Sequence, residues 1–251
     1  MEKVIVITGA SSGIGAALAE HLTPKGASVA IAARREDALN QIASRCGGKA
    51  LPIVADVTRR PDVARIVSET LGKFGRIDVW VNNAGQGLTR MPTQLTDEDI
   101  DDMLRANVKS VIYGIQAVLP HFKERGTGQI INISSMLGRI PFAVFRSAYS
   151  ASKHYVNAMT AMFRDEVQKT HPGIQFSLVS PGVVYTDFGL NARHGGVDSR
   201  EIPGGQTPEE VAAVIAGVIE RRQPDVYTRP GSQQQVVEYY TNVGRDGASD
   251  G

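Results

Sequence analysis

Short apolar runs rich in β-branched residues recur along the chain, separated by longer segments whose apolar positions fall three and four apart. The runs are "KVIVITG", "ASVAIAA", "KALPIVA", "IDVWVNNAG", "GQIINISS", "IQFSLVSPG" and "PDVYTRP". Bounded by Gly, Asn, Ser and Pro, they predict strands. Between them, "IGAALAEHLTPKG", "EDALNQIASRC", "RPDVARIVSETLGKFG", "TDEDIDDMLRANVKSVIYGIQAVLPHFKERG", "YSASKHYVNAMTAMFRDEVQKTHPG" and "TPEEVAAVIAGVIERRQ" predict helices. This alternation predicts right-handed crossovers and a parallel sheet of about seven strands with helices on both faces, a single doubly wound α/β domain. The domain is expected over residues 1–240, with the polar stretch at 241–251 a disordered tail.

Helix punctuation supports these boundaries. Thr96 with Asp99 forms an acidic capping box, and Thr207, Pro208 and Glu210 form a second start. Gly26, Gly75, Gly126 and Gly173 fall where helices are expected to end. The segment 185–206 is too long for an ordinary connection and is expected to be a lid or substrate loop.

Composition narrows the class. A chain of 251 residues with 42% hydrophobic residues holds one large core, and 27 basic against 26 acidic side chains give a net charge of +1. No general attraction to nucleic acid or to an anionic membrane follows from that balance. The one cysteine, Cys46, excludes an internal disulfide and reads as an inert small residue. No run approaches the ~18 apolar residues of a membrane helix. The opening "MEKVIVITGA" turns to glycine where a signal peptide would stay apolar, so a soluble cytoplasmic protein is expected.

The candidate chemistry begins at "TGASSGIG", where Thr8 closes the first strand and Ile14 opens the first helix. Such a turn presents unpaired N–H groups and the positive end of a helix dipole to a pyrophosphate. Gly9 permits the tight turn, Gly13 lets the backbone approach the ligand, and Gly15 lets helix pack on strand. The Ser11 and Ser12 hydroxyls are available as phosphate donors.

Five motifs in order carry a resemblance to the short-chain dehydrogenase/reductase family, in its short single-domain branch, over about residues 3–187. They are T-G-x-x-x-G-x-G at Thr8 to Gly15, N-N-A-G at Asn82 to Gly85, N-x-S-S at Asn132 to Ser135, Y-x-x-x-K at Tyr149 and Lys153, and P-G-x-x-x-T at Pro181 to Thr186. The resemblance implies a Rossmann-type fold and a nicotinamide dinucleotide cofactor. It sets Asp56 beside adenine, the Asn83, Ala84 and Gly85 turn and the Pro181, Gly182 segment along the cofactor, and the Thr186 hydroxyl at the carboxamide. Read without the family, Asn82 and Asn83 are simply turn formers. Where NAD-using relatives carry an aspartate this chain has Ala33, followed by Arg34 and Arg35. Guanidinium suits a 2′-phosphate, so NADP(H) is expected, with Arg34 as ligand and Arg35 stacking or assisting. The alternative is two solvated arginines at a helix start.

Tyr149 and Lys153, four apart on a helix, share one face, where an ammonium stabilises the phenolate. By resemblance Ser135 holds the substrate oxygen and Asn107 joins a water relay to Lys153. The interval from Ser135 to Tyr149 is one residue longer than the family's common spacing, which leaves Ser134 as an alternative. The implied reaction interconverts a ketone or aldehyde and an alcohol by hydride transfer, with Tyr149 as general acid and base. Met136, Leu137, Phe142 and Phe145 form an expected apolar wall, or else serve core or interface. His194 and His154 are given no catalytic role, and no metal site is expected. An NADP-binding redox sensor without turnover is the competing reading, and retention of both Tyr149 and Lys153 argues against it. An epimerase or dehydratase would show different glycine spacing and a C-terminal substrate domain. The expected partners are a small carbonyl or alcohol substrate and further copies of the chain, as a homodimer or homotetramer.

Overall fold

All seven apolar runs form strands, in a single parallel sheet of order β3-β2-β1-β4-β5-β6-β7. The computed structural model describes residues 2–243. The strands are β1 (Val4–Thr8), β2 (Ser28–Ala33), β3 (Ala50–Val54), β4 (Val79–Asn82), β5 (Gly128–Ile133), β6 (Ile174–Ser180) and β7 (Asp225–Tyr227). The helices are α1 (Gly13–Leu22), α2 (Glu36–Arg45), α3 (Arg60–Phe74), α4 (Asp97–Met103), α5 (Ser110–Arg125), α6 (Ser147–Gln168), α7 (Pro208–Arg221) and α8 (Ser232–Asn242). Among the described residues no helix is long and apolar enough to cross a membrane.

The two-residue period of a strand divides the core in two. Ile5, Ile7, Val29 and Ile31 face α1, α2 and α7, while Val6, Ala30, Trp80 and Phe176 face α3, α5 and α6. Chain order reverses between β1 and β4, which opens a crevice at their C-terminal ends, the usual ligand position in such sheets.

Both capping boxes form, with Thr96 Oγ1 accepting from Asp99 N and Thr207 Oγ1 from Glu210 N, each at 3.2 Å. Gly75 and Gly126 end their helices in the left-handed region, at φ 75° and 70°. Gly173 does not: α6 already ends at Gln168, and Gly173 lacks a Cβ because Gly126 O occupies that space. The expected helix across 96–126 is interrupted by a π-helical turn, Leu104–Lys109, which joins α4 to α5. Helix α8 was not expected, since its glutamine-rich start carries too few apolar positions to stand out. It extends to Asn242 and so takes in the start of the expected tail, of which residues 244–251 lie outside the described residues.

A buried polar chain crosses the sheet next to the crevice. Trp80 Nε1 donates to Asn82 Oδ1 at 2.7 Å, Asn82 Nδ2 to Asn132 Oδ1 at 2.8 Å, and Asn132 Nδ2 to Thr160 Oγ1 on α6 at 2.8 Å. Gly114 of α5 leaves room for it: a Cβ there would overlap Asn82 Oδ1 and sit 2.6 Å from Trp80 Nε1. Alanine is worth about 1 kcal/mol over glycine in a helix interior, and Gly72 of α3 meets nothing within 4 Å. Urea unfolding should therefore show Gly72→Ala raising stability by about 0.5–1 kcal/mol. Gly114→Ala should lower it by about 1–3 kcal/mol despite the same propensity gain. Equal effects at the two positions would refute the steric reading.

Candidate active site

The glycine turn and the 83–85 segment form one unit at the ends of β1 and β4. Gly9 and Gly13 take φ 68° and 57°, conformations that L side chains rarely adopt. A Cβ on Gly9 would lie 2.7 Å from Ala84 Cα, and one on Gly15 would lie 2.6 Å from Asn83 Nδ2. Thr8 Oγ1 accepts from the N–H groups of Asn83 and Ala84 at 3.1 and 3.2 Å and donates to Val81 O at 3.2 Å. The Asn83 amide donates back to Thr8 O and Gly9 O at 2.9 and 3.2 Å. The side chain of Ser12 does not cap α1, so the first-turn N–H groups of that helix stay available to an anion.

A cation stands at the same turn. Arg35 Nη2 donates to Ser11 Oγ at 3.1 Å and to Ser12 Oγ at 2.8 Å, while Arg34 is exposed at the end of β2. Arg35, rather than Arg34, is thus the arginine that reaches the turn. Thr186 approaches it from the other side, its Cγ2 3.2 Å from a Cβ on Gly13. Pro181 O accepts from Met136 N at 2.7 Å, tying the Pro181-Gly182 segment to the turn after β5. Asp56 is half-buried and its Oδ1 accepts from Thr58 N and Oγ1 at 2.9 and 2.8 Å, which fixes the loop after β3. Two uncapped serines, positive-φ glycines and a guanidinium suit a dinucleotide phosphate, and the residues of the turn fit such a group.

Tyr149 and Lys153 share the buried face of α6, as their spacing requires. Lys153 Nζ donates to Ile133 O at 2.9 Å and lies 5.7 Å from the centre of the Tyr149 ring. Burial lowers its ammonium to about 8. The phenol departs from the expected depression. Burial pushes Tyr149 up to about 12, against the opposing pull of a Ser135 hydrogen bond and the Arg146 charge. Desolvation outweighs the favourable partners because only 8% of the residue is exposed.

Ser135, not Ser134, addresses the phenol. Ser135 also accepts from Leu137 N at 3.1 Å, whereas the Ser134 hydroxyl is turned away and donates to Asn157 Oδ1. Asn107 sits in the π-helical turn, fully buried, with Oδ1 accepting from Gln86 N at 2.8 Å and Nδ2 donating to Gln86 O at 2.9 Å and Ser152 Oγ at 3.0 Å. Gly85 brings it close to the lysine: a Cβ there would be 3.2 Å from Asn107 Oδ1 and 3.6 Å from Lys153 Nζ. Single π-helical turns recur at functional sites because they re-aim one side chain without ending the helix. Of the expected apolar wall, Met136 is buried and Leu137 packs with Leu88, Met103 and Tyr149, but Phe142 and Phe145 are exposed. Phe188 takes a wall position instead, edge-on to the Tyr149 ring at 5.5 Å.

The 185–206 segment closes at its base through Tyr185 N to Gln206 O and Gln206 N to Val183 O, both 2.9 Å. Its middle is fastened to α4. Asp99, fully buried, accepts from His194 Nε2 at 2.7 Å, Arg193 Nε at 3.0 Å and Arg90 Nη1 at 2.7 Å. The His194 hydrogen bond, aided by Thr96 and Arg90, holds the Asp99 carboxyl well below the usual carboxylate range. His194 adopts φ 64°, a left-handed conformation uncommon for a side-chain-bearing residue. His154 turns to Ser150 O at 2.9 Å, away from Tyr149. Cys46 is buried and unpaired, and burial pushes its thiol up.

Comparisons with known proteins agree with this architecture. The family model described as short chain dehydrogenase matches residues 3–195. An uncharacterized oxidoreductase of Staphylococcus epidermidis is 37% identical over 194 residues, covering 75% of this chain and 83% of that protein. One from Bacillus subtilis is 34% identical over 243 residues, covering 94% of this chain and 67% of that protein. Among solved structures, a 3-ketoacyl-(acyl-carrier-protein) reductase from Brucella melitensis complexed with NADH has a TM-score of 0.81 at 28% identity, covering 90% of this chain and 97% of that one. An alcohol dehydrogenase from the archaeon Thermococcus sibiricus complexed with 5-hydroxy-NADP has a TM-score of 0.77 at 27% identity, covering 90% and 96%. The chain belongs to the short-chain dehydrogenase family and is an oxidoreductase of that family.

The buried lysine carries a pH signature. In the unfolded chain it titrates near its ordinary value of about 10.4, and in the folded protein near 8. Between these values the unfolded chain holds a proton that the folded protein has released, so stability rises with pH. Tyr149, raised to about 12, acts in the opposite sense, but only above its ordinary value of about 10. Urea unfolding between about pH 8 and pH 10 should show wild type gaining stability relative to Lys153→Met. Parallel pH profiles would mean that the lysine is not desolvated.

Proposed function

We propose that the chain is an NADP(H)-dependent oxidoreductase that interconverts a ketone or aldehyde with the corresponding alcohol. The observation that carries this reading is the enclosed Tyr149 phenol, with the Ser135 hydroxyl bonded to it and Lys153 beneath it, at the crevice where the glycine turn and Arg35 meet. The relatives named as an alcohol dehydrogenase and as a ketoacyl reductase support the same chemistry. The N–H groups opening α1, with Ser11 and Ser12, would hold the pyrophosphate, and Arg34 and Arg35 the 2′-phosphate. A nicotinamide bound there would supply the hydride that carbonyl reduction needs.

The protein's own groups handle the proton. A phenol raised to about 12 stays protonated at neutral pH, which suits it to donate to the oxygen of a carbonyl being reduced. Ser135 orients that oxygen. Lys153, anchored on Ile133 O, keeps positive charge beneath the phenol, where it stabilises the phenolate left after transfer. Asn107, locked by Gln86 and Ser152, positions the polar floor next to the lysine.

Following NADPH absorbance across a panel of ketones and aldehydes, Tyr149→Phe should retain cofactor binding and lose about 10²-fold or more in turnover. Ser135→Ala and Ser134→Ala should each lower stability by about 1 kcal/mol, since each hydroxyl holds a hydrogen bond of the fold, but only Ser135→Ala should lose turnover. Wild-type turnover in Tyr149→Phe would assign the proton donor to another group, and no turnover by the wild type while NADPH still binds would overturn the enzymatic reading in favour of a sensor. Removing the arginines tests the cofactor. Arg34→Ala and Arg35→Ala should each lower the ratio of kcat/KM for NADPH over NADH about tenfold or more, and an unchanged ratio in both variants would assign the preference elsewhere.

A further inference from the structure

Four buried side-chain polar atoms among the described residues have no hydrogen-bond partner: Thr89 Oγ1, Gln129 Oε1, Arg146 Nη1 and Ser147 Oγ. Three of them belong to two segments lying side by side, since Arg90 N donates to Phe145 O at 2.9 Å. Native proteins leave few buried donors unpaired, so a cluster of three needs a cause.

Arg146 also differs from the arginines around it. Arg90 and Arg193 are neutralised by Asp99, Arg105 by Asp102 and Arg200 by Asp187 and Asp198. Arg146 has no carboxylate partner among the described residues. Its guanidinium instead lies in a cradle of two glycines. A Cβ on Gly87 would be 2.8 Å from Nη1, and one on Gly196 would be 2.7 Å from Nη2 and 3.2 Å from the unpaired Thr89 Oγ1. Any larger residue at either position would displace the charge.

The cradle adjoins the reacting phenol. Arg146 precedes Tyr149 by three residues at the start of α6; burial pushes its guanidinium down, and a charge on Tyr149 opposes that shift. Phe188 links the two places: its ring stands edge-on to Tyr149 at 5.5 Å, and its Cε1 would be 3.1 Å from a Cβ on Gly87. Phe188 thus stands against both the phenol ring and the glycine that faces the guanidinium.

We propose that Arg146, with the Thr89 hydroxyl, binds a carboxylate of the substrate, so that the protein acts on short oxo acids or hydroxy acids whose carboxylate lies a few bonds from the reacting carbon. This rests on the oxidoreductase reading above and narrows its substrate class. A single uncompensated cation calls for a monoanion, and the planar guanidinium fork matches a carboxylate. In the reductive direction the keto carbon accepts the hydride of NADPH, the Tyr149 proton goes to its oxygen, and the carboxylate leaves unchanged, balanced by NADP⁺.

Calorimetric titration of the NADPH-saturated protein with two- to six-carbon hydroxy acids and their methyl esters tests this directly, since the esters keep shape and lose charge. Hydroxy acids cannot consume NADPH, so binding is read without turnover. Wild type should bind at least one acid about tenfold or more tighter than its ester. Arg146→Met should abolish that preference, Arg146→Lys should restore part of it, and Thr89→Val should weaken it several-fold in a background where Arg146 is intact. Equal binding of acid and ester, no binding of either, or a preference that survives Arg146→Met overturns the proposal. Kinetics separate it from the reading beneath it. Tyr149-dependent reduction of neutral ketones without acid preference would sink the carboxylate site alone. Acid preference in binding, with no turnover of any oxo acid, would keep the site and sink the reductase.

Discussion

The chain of amides from Trp80 through Asn82 and Asn132 to Thr160 is the contact on which the geometry of the site depends. It joins the C-terminal ends of β4 and β5 to α6 inside a core that is otherwise apolar. Every member is buried, so each lost partner would expose the others to an unmet desolvation penalty. A network of this kind has one low-energy arrangement. It fixes α6 against the sheet both in rotation and along its axis, and so sets where Tyr149 and Lys153 emerge. Ile133, the acceptor of Lys153 Nζ, follows Asn132 directly, and Asn83, which braces the glycine turn, follows Asn82. The two halves of the crevice are therefore held by neighbouring residues of one polar chain.

Much of this was legible in the sequence, for physical reasons that act locally. A buried parallel strand needs an unbroken apolar run, a helix cap needs an oxygen beside the first turn, and a left-handed turn needs glycine, so strands, capping boxes and the Gly9 and Gly13 positions stand out. The Tyr149 and Lys153 pair was readable because four residues make one helical turn. The function of Asn82 and Asn132 was not, because their partners lie 50 and 28 residues away and asparagine after a strand is also the commonest of turn formers. The π-helical turn that aims Asn107 leaves no periodic trace. The 185–206 segment stood out by length alone, but where its charges would land did not.

Electrostatics divides the arginines of the crevice into two kinds. Those that meet carboxylates of the protein, such as Arg90 and Arg193 on Asp99, are structural, and their charge is spent within the fold. Those that meet no carboxylate, Arg35 over Ser11 and Ser12 and Arg146 beside the Phe145 ring, keep a charge the fold does not neutralise. One sits at the turn opening α1 and the other at the start of α6, so each attracts anionic groups to its own place.

The clamp on Asp99 has a consequence for how selectivity can change. Because His194, Arg193 and the closed base already fix the backbone of the 185–206 segment, its conformational entropy is surrendered when the chain folds and not when a ligand arrives. Substitutions at the unclamped positions of this segment are thereby uncoupled from folding, and the protein can exchange one small-molecule preference for another by replacing single side chains on a frame that stays put.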